Sequence, residues 1–371
     1  MMIADRRIGD VAPTYVIAEL SANHQQRLEA AEALVDAAAD AGADAVKLQT
    51  YTPDTITLDA DLPEFRINSG TVWDGRTLHE LYGEAYTPWE WHAPLQRRAA
   101  ERGMHFFSSP FDDTAVAFLE KMGVPAFKIA SFEIVDVGLI ARVAATGRPM
   151  IMSTGMATLE EIAEGVEAAR SAGANQIALL KCTSAYPAPP EESDLRTIPD
   201  MAARFGVPVG LSDHTVGTAV PVAAVALGAC IIEKHLTLSR ADGGPDGGFS
   251  LEPQEFREMV DQIRVAEQAL GTVNYEPTAR EAPSRVLRRS LFVVEPVSAG
   301  EAFTEQNVRS IRPGHGLHTR YLPRLMGRLA ARDISRGTPV SWDLVDGEEA
   351  DERDTVANES VPTAWSEDRV E

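Results

Sequence analysis

The sequence predicts a (β/α)8 TIM barrel followed by a small second domain, on three observations. Short β-rich apolar runs alternate with longer stretches of helical periodicity, the runs number eight, and nearly all of them finish in polar or charged side chains. The predicted strands are Val16–Leu20, Ala45–Gln49, His105–Ser109, Ala126–Ala130, Pro149–Thr154, Ile177–Ser184, Pro208–His214 and Cys230–His235. Between and after them the helical pattern covers Leu28–Ala41, Pro88–Arg102, Thr114–Lys121, Val137–Ala145, Leu159–Ala172, Leu195–Phe205, Thr218–Leu227 and Pro253–Leu270. Several helices run into a glycine suited to a left-handed cap, as at Lys121-Met122-Gly123 and Phe205-Gly206. A doubly wound open sheet is disfavoured because no Gly-rich phosphate loop follows the first strand. The stretch from Tyr51 to Thr87 is longer than an ordinary βα connection and is read as a flap over the mouth.

Periodicity fades from Gly271 to Arg289, where Pro277 and Pro283 mark a linker, and resumes in short strand-like runs from Ser290. The division is a barrel over 1–272, a linker over 273–289, a small domain over 290–345 and an acidic, disordered tail over 346–371. That tail holds ten acidic residues and two arginines.

A chain of 371 residues with 44% hydrophobic content can bury a sizeable core. It lacks both an apolar stretch of about 20 residues and the ordered regions of a secretion signal, so a cytoplasmic protein is expected. A formal charge of -22 argues against nucleic acid or an anionic membrane as partner. Cys182 and Cys230 lie in apolar runs and are read as small buried hydrophobes without a disulfide.

Functional side chains crowd the predicted strand ends: Glu19, Lys47 and Gln49, Ser108 and Ser109, Lys128 and Ser131, Ser153 and Thr154, Thr183 and Ser184, Ser212 to His214, Glu233 to His235. Carboxyl ends of strands are where barrel enzymes build their sites, and eight in succession exceed what capping or core filling requires. Lys47 and Lys128 interrupt apolar strands, so each ammonium needs an anionic partner, either a neighbouring carboxylate or a bound phosphate or carboxylate. Serines at nearby ends could help hold a small dianion. His214 and His235 end successive strands, as a divalent ion with open water positions would require; a hydrogen-bonded pair without metal is the alternative. Glu19 could complete such a shell, and Glu133, just past the fourth strand, is a second candidate acid or base. His24 follows the first strand closely, whereas His79, His92 and His318 read as surface or packing residues.

Specific strings carry a resemblance: Ile17-Ala18-Glu19-Leu20-Ser21-Ala22-Asn23-His24, Val46-Lys47-Leu48-Gln49-Thr50, Phe127-Lys128-Ile129-Ala130-Ser131, Ser153-Thr154-Gly155-Met156, Cys182-Thr183-Ser184-Ala185-Tyr186-Pro187, Gly210-Leu211-Ser212-Asp213-His214-Thr215 and Glu233-Lys234-His235. From about residue 3 to about residue 345 the chain resembles the sialic acid synthase family. Tyr51-Thr52-Pro53-Asp54-Thr55, Ala188-Pro189-Pro190-Glu191-Glu192 and Arg240 to Asp246 are most similar to its pseudaminic acid branch.

The resemblance implies a metal-dependent condensation of phosphoenolpyruvate with an acetamido sugar, here 2,4-diacetamido-2,4,6-trideoxy-β-L-altropyranose, releasing phosphate by C–O cleavage. It implies that Lys47, Ser109, Lys128, Ser131, Ser153, Ser184 and Ser212 grip phosphoenolpyruvate. It also implies that His214 and His235 hold Mn2+ or Mg2+, that Tyr186 and Asp246 contact the sugar, and that Glu19 and Glu133 handle protons and water beside the lysines. The region from Ser290 resembles an antifreeze-like (SAF) domain, whose Arg312 would reach a partner's barrel in a domain-swapped homodimer. Two features depart from the common family pattern: Gln25-Gln26 stands where many relatives have Asn-Gly, and Ser184 where N-acetylneuraminate synthases commonly have Asn.

The competing expectations are an N-acetylneuraminate or legionaminate synthase, a metal-dependent barrel aldolase or hydrolase, and a non-enzymatic carbohydrate-binding protein. The paired strand lysines argue against hydrolysis, and the polar barrel mouth argues against a purely structural role.

Overall fold

The structure, a computed structural model, describes residues 1–9, 12–68, 70 and 73–348. Two compact units divide at Gly271 and Thr272.

The first unit is a closed barrel of eight parallel strands: β1 (Tyr15–Glu19), β2 (Ala45–Thr50), β3 (His105–Pro110), β4 (Phe127–Ile129), β5 (Met150–Ser153), β6 (Ile177–Cys182), β7 (Val209–Asp213) and β8 (Ile231–His235). Each pairs with its sequence neighbour, and β8 closes onto β1 with His235 opposite Glu19. The main helices are α1 (Leu28–Asp40), α2 (His92–Glu101), α3 (Asp113–Met122), α4 (Val137–Ala144), α5 (Leu159–Ser171), α6 (Thr197–Phe205), α7 (Ala219–Ala226) and α8 (Pro253–Leu270). Their apolar faces and the strands make one continuous core that includes Leu34, Val46, Phe127, Ile151, Leu180 and Phe256.

Local sequence signals agree with this layout. Asp112 accepts the amides of Thr114 and Ala115 at the start of α3, and Gly123 ends that helix at φ 73°. α6 stops the same way at Gly206, φ 63°. In β7 the requirement at Gly210 is space: a Cβ there would lie 2.3 Å from the carbonyl oxygen of Ile231 on β8.

An N-terminal hairpin, Met2–Ile3 paired with Arg6–Arg7, was not expected from the sequence. It buries Ile3 and Ile8 in the barrel core, and it meets residues that precede or begin strands: Met2 donates to Gln176, Arg6 pairs with Asp44, and Asp5 pairs with His105. It therefore packs at the amino-terminal end, opposite the rim that carries the polar strand ends.

The flap between β2 and α2 contains two short helices, Pro53–Ile56 and Leu78–Ala85. Both of its roots are pinned by buried histidines. Thr50 Oγ1 bonds His92 Nε2 at 2.7 Å, and Thr87 Oγ1 bonds His24 Nε2 at 3.1 Å. Burial lowers the pKa of both rings to about 4, so they stay neutral. His24 and His92 thus serve the flap.

The second unit has its own core, which includes Leu291, Phe303, Leu317, Val340 and Trp342. It is built on an antiparallel pair, β9 (Ser290–Val293) and β10 (Val308–Ile311). Residues 346–348, assigned from sequence to the tail, are bonded into it: the Asp346 amide donates to Leu329, and Glu348 pairs with Arg324 and Arg328. The rest of the expected tail, from 349 onward, lies outside the described residues.

Candidate active site

The period of two along a strand decides which polar residues enter the barrel. On β8 it turns Glu233 and His235 to the interior and sends Lys234 outward, where its fully buried ammonium pairs with Asp213 and donates to the Thr215 carbonyl. Lys234 is therefore structural.

Inside, four charges meet. Lys47 Nζ lies 2.6 Å from Glu19 Oε2, 3.4 Å from Glu233 Oε1 and 3.4 Å from Ser109 Oγ. Lys128 Nζ donates to Ser153 Oγ at 2.6 Å and to the Ile129 carbonyl at 3.2 Å, while Glu233 Oε1 is its nearest carboxylate at 3.8 Å. Glu233 also accepts from Ser212 at 3.2 Å, and its Oε2 is buried without a hydrogen-bond partner. Neither lysine is more than 3% exposed, so water does not screen these interactions.

Burial would strip the proton from Lys47, but the charges of Glu19 and Glu233 raise its pKa instead. Lys128 has weaker compensation and its pKa falls, burial being the main cause. Burial raises Glu19, with Lys47 opposing, whereas the two lysines overcome burial and lower Glu233. Lys47 is thus the paired cation. Lys128 is the one whose hydrogen bonds go to neutral oxygens, and it can accept an anionic ligand without giving up an ion pair at contact distance.

Two residues past Ser153, whose hydroxyl bonds Lys128, a narrow cradle opens around Gly155. Its amide donates to Ser131 Oγ at 3.1 Å, and an added Cβ would lie 2.1 Å from Ser184 Oγ and 2.7 Å from Ser131 Oγ. Only glycine lets the two hydroxyls approach this closely. Ser109 and Ser153 thus bond the ammonium groups directly, Ser212 bonds their shared partner Glu233, and Ser131 and Ser184 line the cradle at Gly155.

Glu133 sits at this rim in the turn after β4. Burial raises its carboxyl to about 7, partly offset by its own backbone amide and by Lys128, which leaves it able to give or take a proton near neutral pH.

The imidazoles of His214 and His235 lie side by side with centroids 5.3 Å apart. His214 Nδ1 donates to the Thr183 carbonyl at 2.9 Å, and although burial pulls its pKa down, Cys182 and that carbonyl raise it. Burial, followed by repulsion from His214, holds His235 well below its usual pKa, and its Nδ1 has no hydrogen-bond partner. The neutral His235 ring, with its orphaned nitrogen, suits a divalent ion. Among the described residues no group of three or more His, Cys, Asp or Glu side chains is arranged to hold one. Cys182 Sγ lies 3.9 Å from His214 Nδ1; burial alone would raise the thiol, but His214 brings it down to about 7.

An aromatic wall flanks the pair. Tyr186 is 4.5 Å from the His214 ring and 5.1 Å from Phe249, and Trp73 of the flap reaches within 5.5 Å of Tyr186. Asp246 Oδ2 lies 3.9 Å from His235 Nδ1. The loop after β1 closes this side, with Gln25 and Gln26 both left-handed at φ 51° and 52°. They hold the conformation that an Asn-Gly pair adopts readily, and their amides donate to Asp242 on one side and to Glu84 and Tyr86 of the flap on the other.

All sequence-predicted site residues of the barrel thus gather at one rim. Arg312 alone belongs to the second unit, exposed just after β10. The sequence reading noticed Glu233 and Gln49 as strand-end residues but gave them no role, and it passed over Ser21, Trp73 and Phe249. The i, i+2 spacing of Glu233 and His235 was the available signal for the first.

Residues 34–275 match the NeuB family and residues 288–346 match the SAF domain. The chain is 44% identical to a pseudaminic acid synthase of Campylobacter jejuni (strain 81-176), over 87% of this chain and 94% of that protein. It is 42% identical to a pseudaminic acid synthase of Helicobacter pylori, over 90% and 98%. The crystal structure of the spore coat polysaccharide biosynthesis protein SpsE of Bacillus subtilis superposes with a TM-score of 0.64 at 37% identity, covering 94% of this chain and 99% of that one.

The Glu133 shift predicts a pH-dependent stability. Between its unfolded pKa of 4.5 and its folded value of about 7, the native state keeps a proton that the unfolded chain releases, so stability falls as pH rises through that window. Glu133→Gln should melt with the parent near pH 4.5 and be more stable by up to about 3 kcal/mol at pH 8. Identical melting differences at both pH values would show that Glu133 is an ordinary exposed carboxylate.

Proposed function

As the chain belongs to the NeuB family and carries a SAF domain, we propose that it condenses phosphoenolpyruvate with 2,4-diacetamido-2,4,6-trideoxy-β-L-altropyranose to give pseudaminic acid and phosphate. The observation that carries this reading is the convergence at one rim of two buried ammonium groups and two neighbouring imidazoles.

Lys128 and Lys47, with the hydroxyls of Ser109, Ser131, Ser153, Ser184 and Ser212, suit the phosphate and carboxylate of the enol substrate. The net charge of the two lysines and two glutamates is zero, so the anion is held by local, directed bonds. Carbon 3 of phosphoenolpyruvate attacks the aldehyde carbon of the open-chain sugar, whose oxygen gains a proton and becomes a hydroxyl. Water adds at carbon 2 and loses a proton, and the tetrahedral intermediate expels phosphate by breaking the carbon 2–oxygen bond, leaving the keto acid. Glu133, poised near neutrality, and Glu19, raised by burial, are the groups for these proton transfers. His214 and His235 would hold a divalent ion, Mn2+ or Mg2+, which polarises the aldehyde when bound. Tyr186 and Asp246 face the sugar.

The enzyme works in the cytoplasm as a homodimer, with Arg312 of one copy completing the sugar site of the other. Charge supports the exchange. Residues 1–271 hold 39 carboxylates against 21 lysines and arginines, whereas residues 272–348 hold eleven arginines, no lysine and nine carboxylates. No helix among the described residues is long and apolar enough to cross a membrane.

Two experiments test this reading. With phosphoenolpyruvate and Mn2+, a panel of acetamido sugars should give product mass and phosphate from the diacetamido-trideoxy-altrose, and chelation should abolish both. Turnover of N-acetylmannosamine alone would assign the chain to the N-acetylneuraminate synthases instead. For the dimer, Arg312→Ala should raise the sugar KM about tenfold with little change in that for phosphoenolpyruvate; an unchanged sugar KM would remove Arg312 from the site.

A further inference from the structure

Ser21 stands at the end of the β1 rim in a conformation that its chemistry does not favour. Its φ is 43°, in the left-handed region where a side chain is strained, and it is buried. Such outliers persist where surrounding contacts over-determine them. Here the contacts are specific. Ser21 Oγ donates to Asp246 Oδ2, the same carboxylate oxygen that lies 3.9 Å from His235 Nδ1, and it accepts from Gln49 Nε2 at 3.2 Å. Gln49 Nε2 in turn lies 3.2 Å from Glu19 Oε1.

Asp246 belongs to a glycine-rich loop, Gly243-Gly244-Pro245-Asp246-Gly247-Gly248, that has little rigidity of its own. Asn23, two residues after Ser21, helps to hold it by donating to Ser250 Oγ, which donates to the Asp246 carbonyl at 2.6 Å. These bonds hold the Ser250 end of the loop, and the hydroxyl of Ser21, beside the Ala22 amide, anchors its middle through the Asp246 carboxylate.

We propose that Ser21 is a positioning residue for the acceptor sugar, its hydroxyl aiming the Asp246 carboxylate at the imidazole pair. A glycine would adopt this backbone without strain, so what the serine adds at this position is its hydroxyl. The inference rests on the reading that Asp246 faces the sugar, and it adds how that carboxylate is oriented and which residue sets acceptor affinity apart from phosphoenolpyruvate affinity.

The test uses Ser21→Gly in the full-length protein, because that substitution relaxes the backbone while deleting the hydroxyl, with Ser21→Ala as a second variant that deletes the hydroxyl and keeps the strain. Ser21→Gly should melt at or above the parent temperature, show faster amide hydrogen exchange across residues 243–250, and lose about tenfold in kcat/KM for the sugar, while its KM for phosphoenolpyruvate stays within about twofold. Ser21→Ala should show the same kinetic loss with a lower melting temperature. Unchanged exchange in the loop, or equal losses for both substrates, would overturn the proposal. A parent enzyme that turns over no acetamido sugar would sink the functional reading and leave the exchange measurement to decide whether Ser21 pins Asp246.

Discussion

Two ammonium groups lie in the dry interior of a barrel, and the arrangement of the site follows from keeping them there. An isolated charge in such a place costs several kcal/mol, so each lysine must be compensated by geometry. Glu19 and Glu233 supply that for Lys47 from the two strands beyond it in the barrel order. Lys128 receives less, and its hydrogen bonds go to Ser153 and the Ile129 carbonyl. A fully compensated pair would be inert and an uncompensated one would lose its proton. This cluster lies between those limits, which is what reversible capture of a small anion requires.

The second half of the site depends on the first through β8. One strand carries Glu233 to the lysines and His235 to His214, two residues apart on the same interior face. The anion grip and the imidazole pair therefore have a fixed separation set by strand geometry. Around this frame lie the flap, rooted on His24 and His92, and the glycine-rich loop that bears Asp246.

Much of this was legible before the structure. The eight strands were readable because each is a short apolar run between helical patterns, and lysine, serine and histidine at their ends stood out against that background. The role of Glu233 was less visible because its partners, Lys47 and Lys128, come from strands roughly 100 to 190 residues away, and inter-strand register is not written in any local pattern. Ser21 was hidden for a different reason: its backbone angle is imposed by tertiary contacts. The N-terminal hairpin, with strands of two residues each, is too short to give a periodicity signal.

The most direct test of the anion grip is the affinity for phosphoenolpyruvate in the absence of sugar, measured by titration calorimetry on the parent and on Lys128→Met, with circular dichroism confirming that the variant is folded. Loss of one charge-assisted hydrogen-bonding group should weaken binding by about 30-fold. An affinity within about twofold of the parent would mean that the buried ammonium of Lys128 does not hold the substrate.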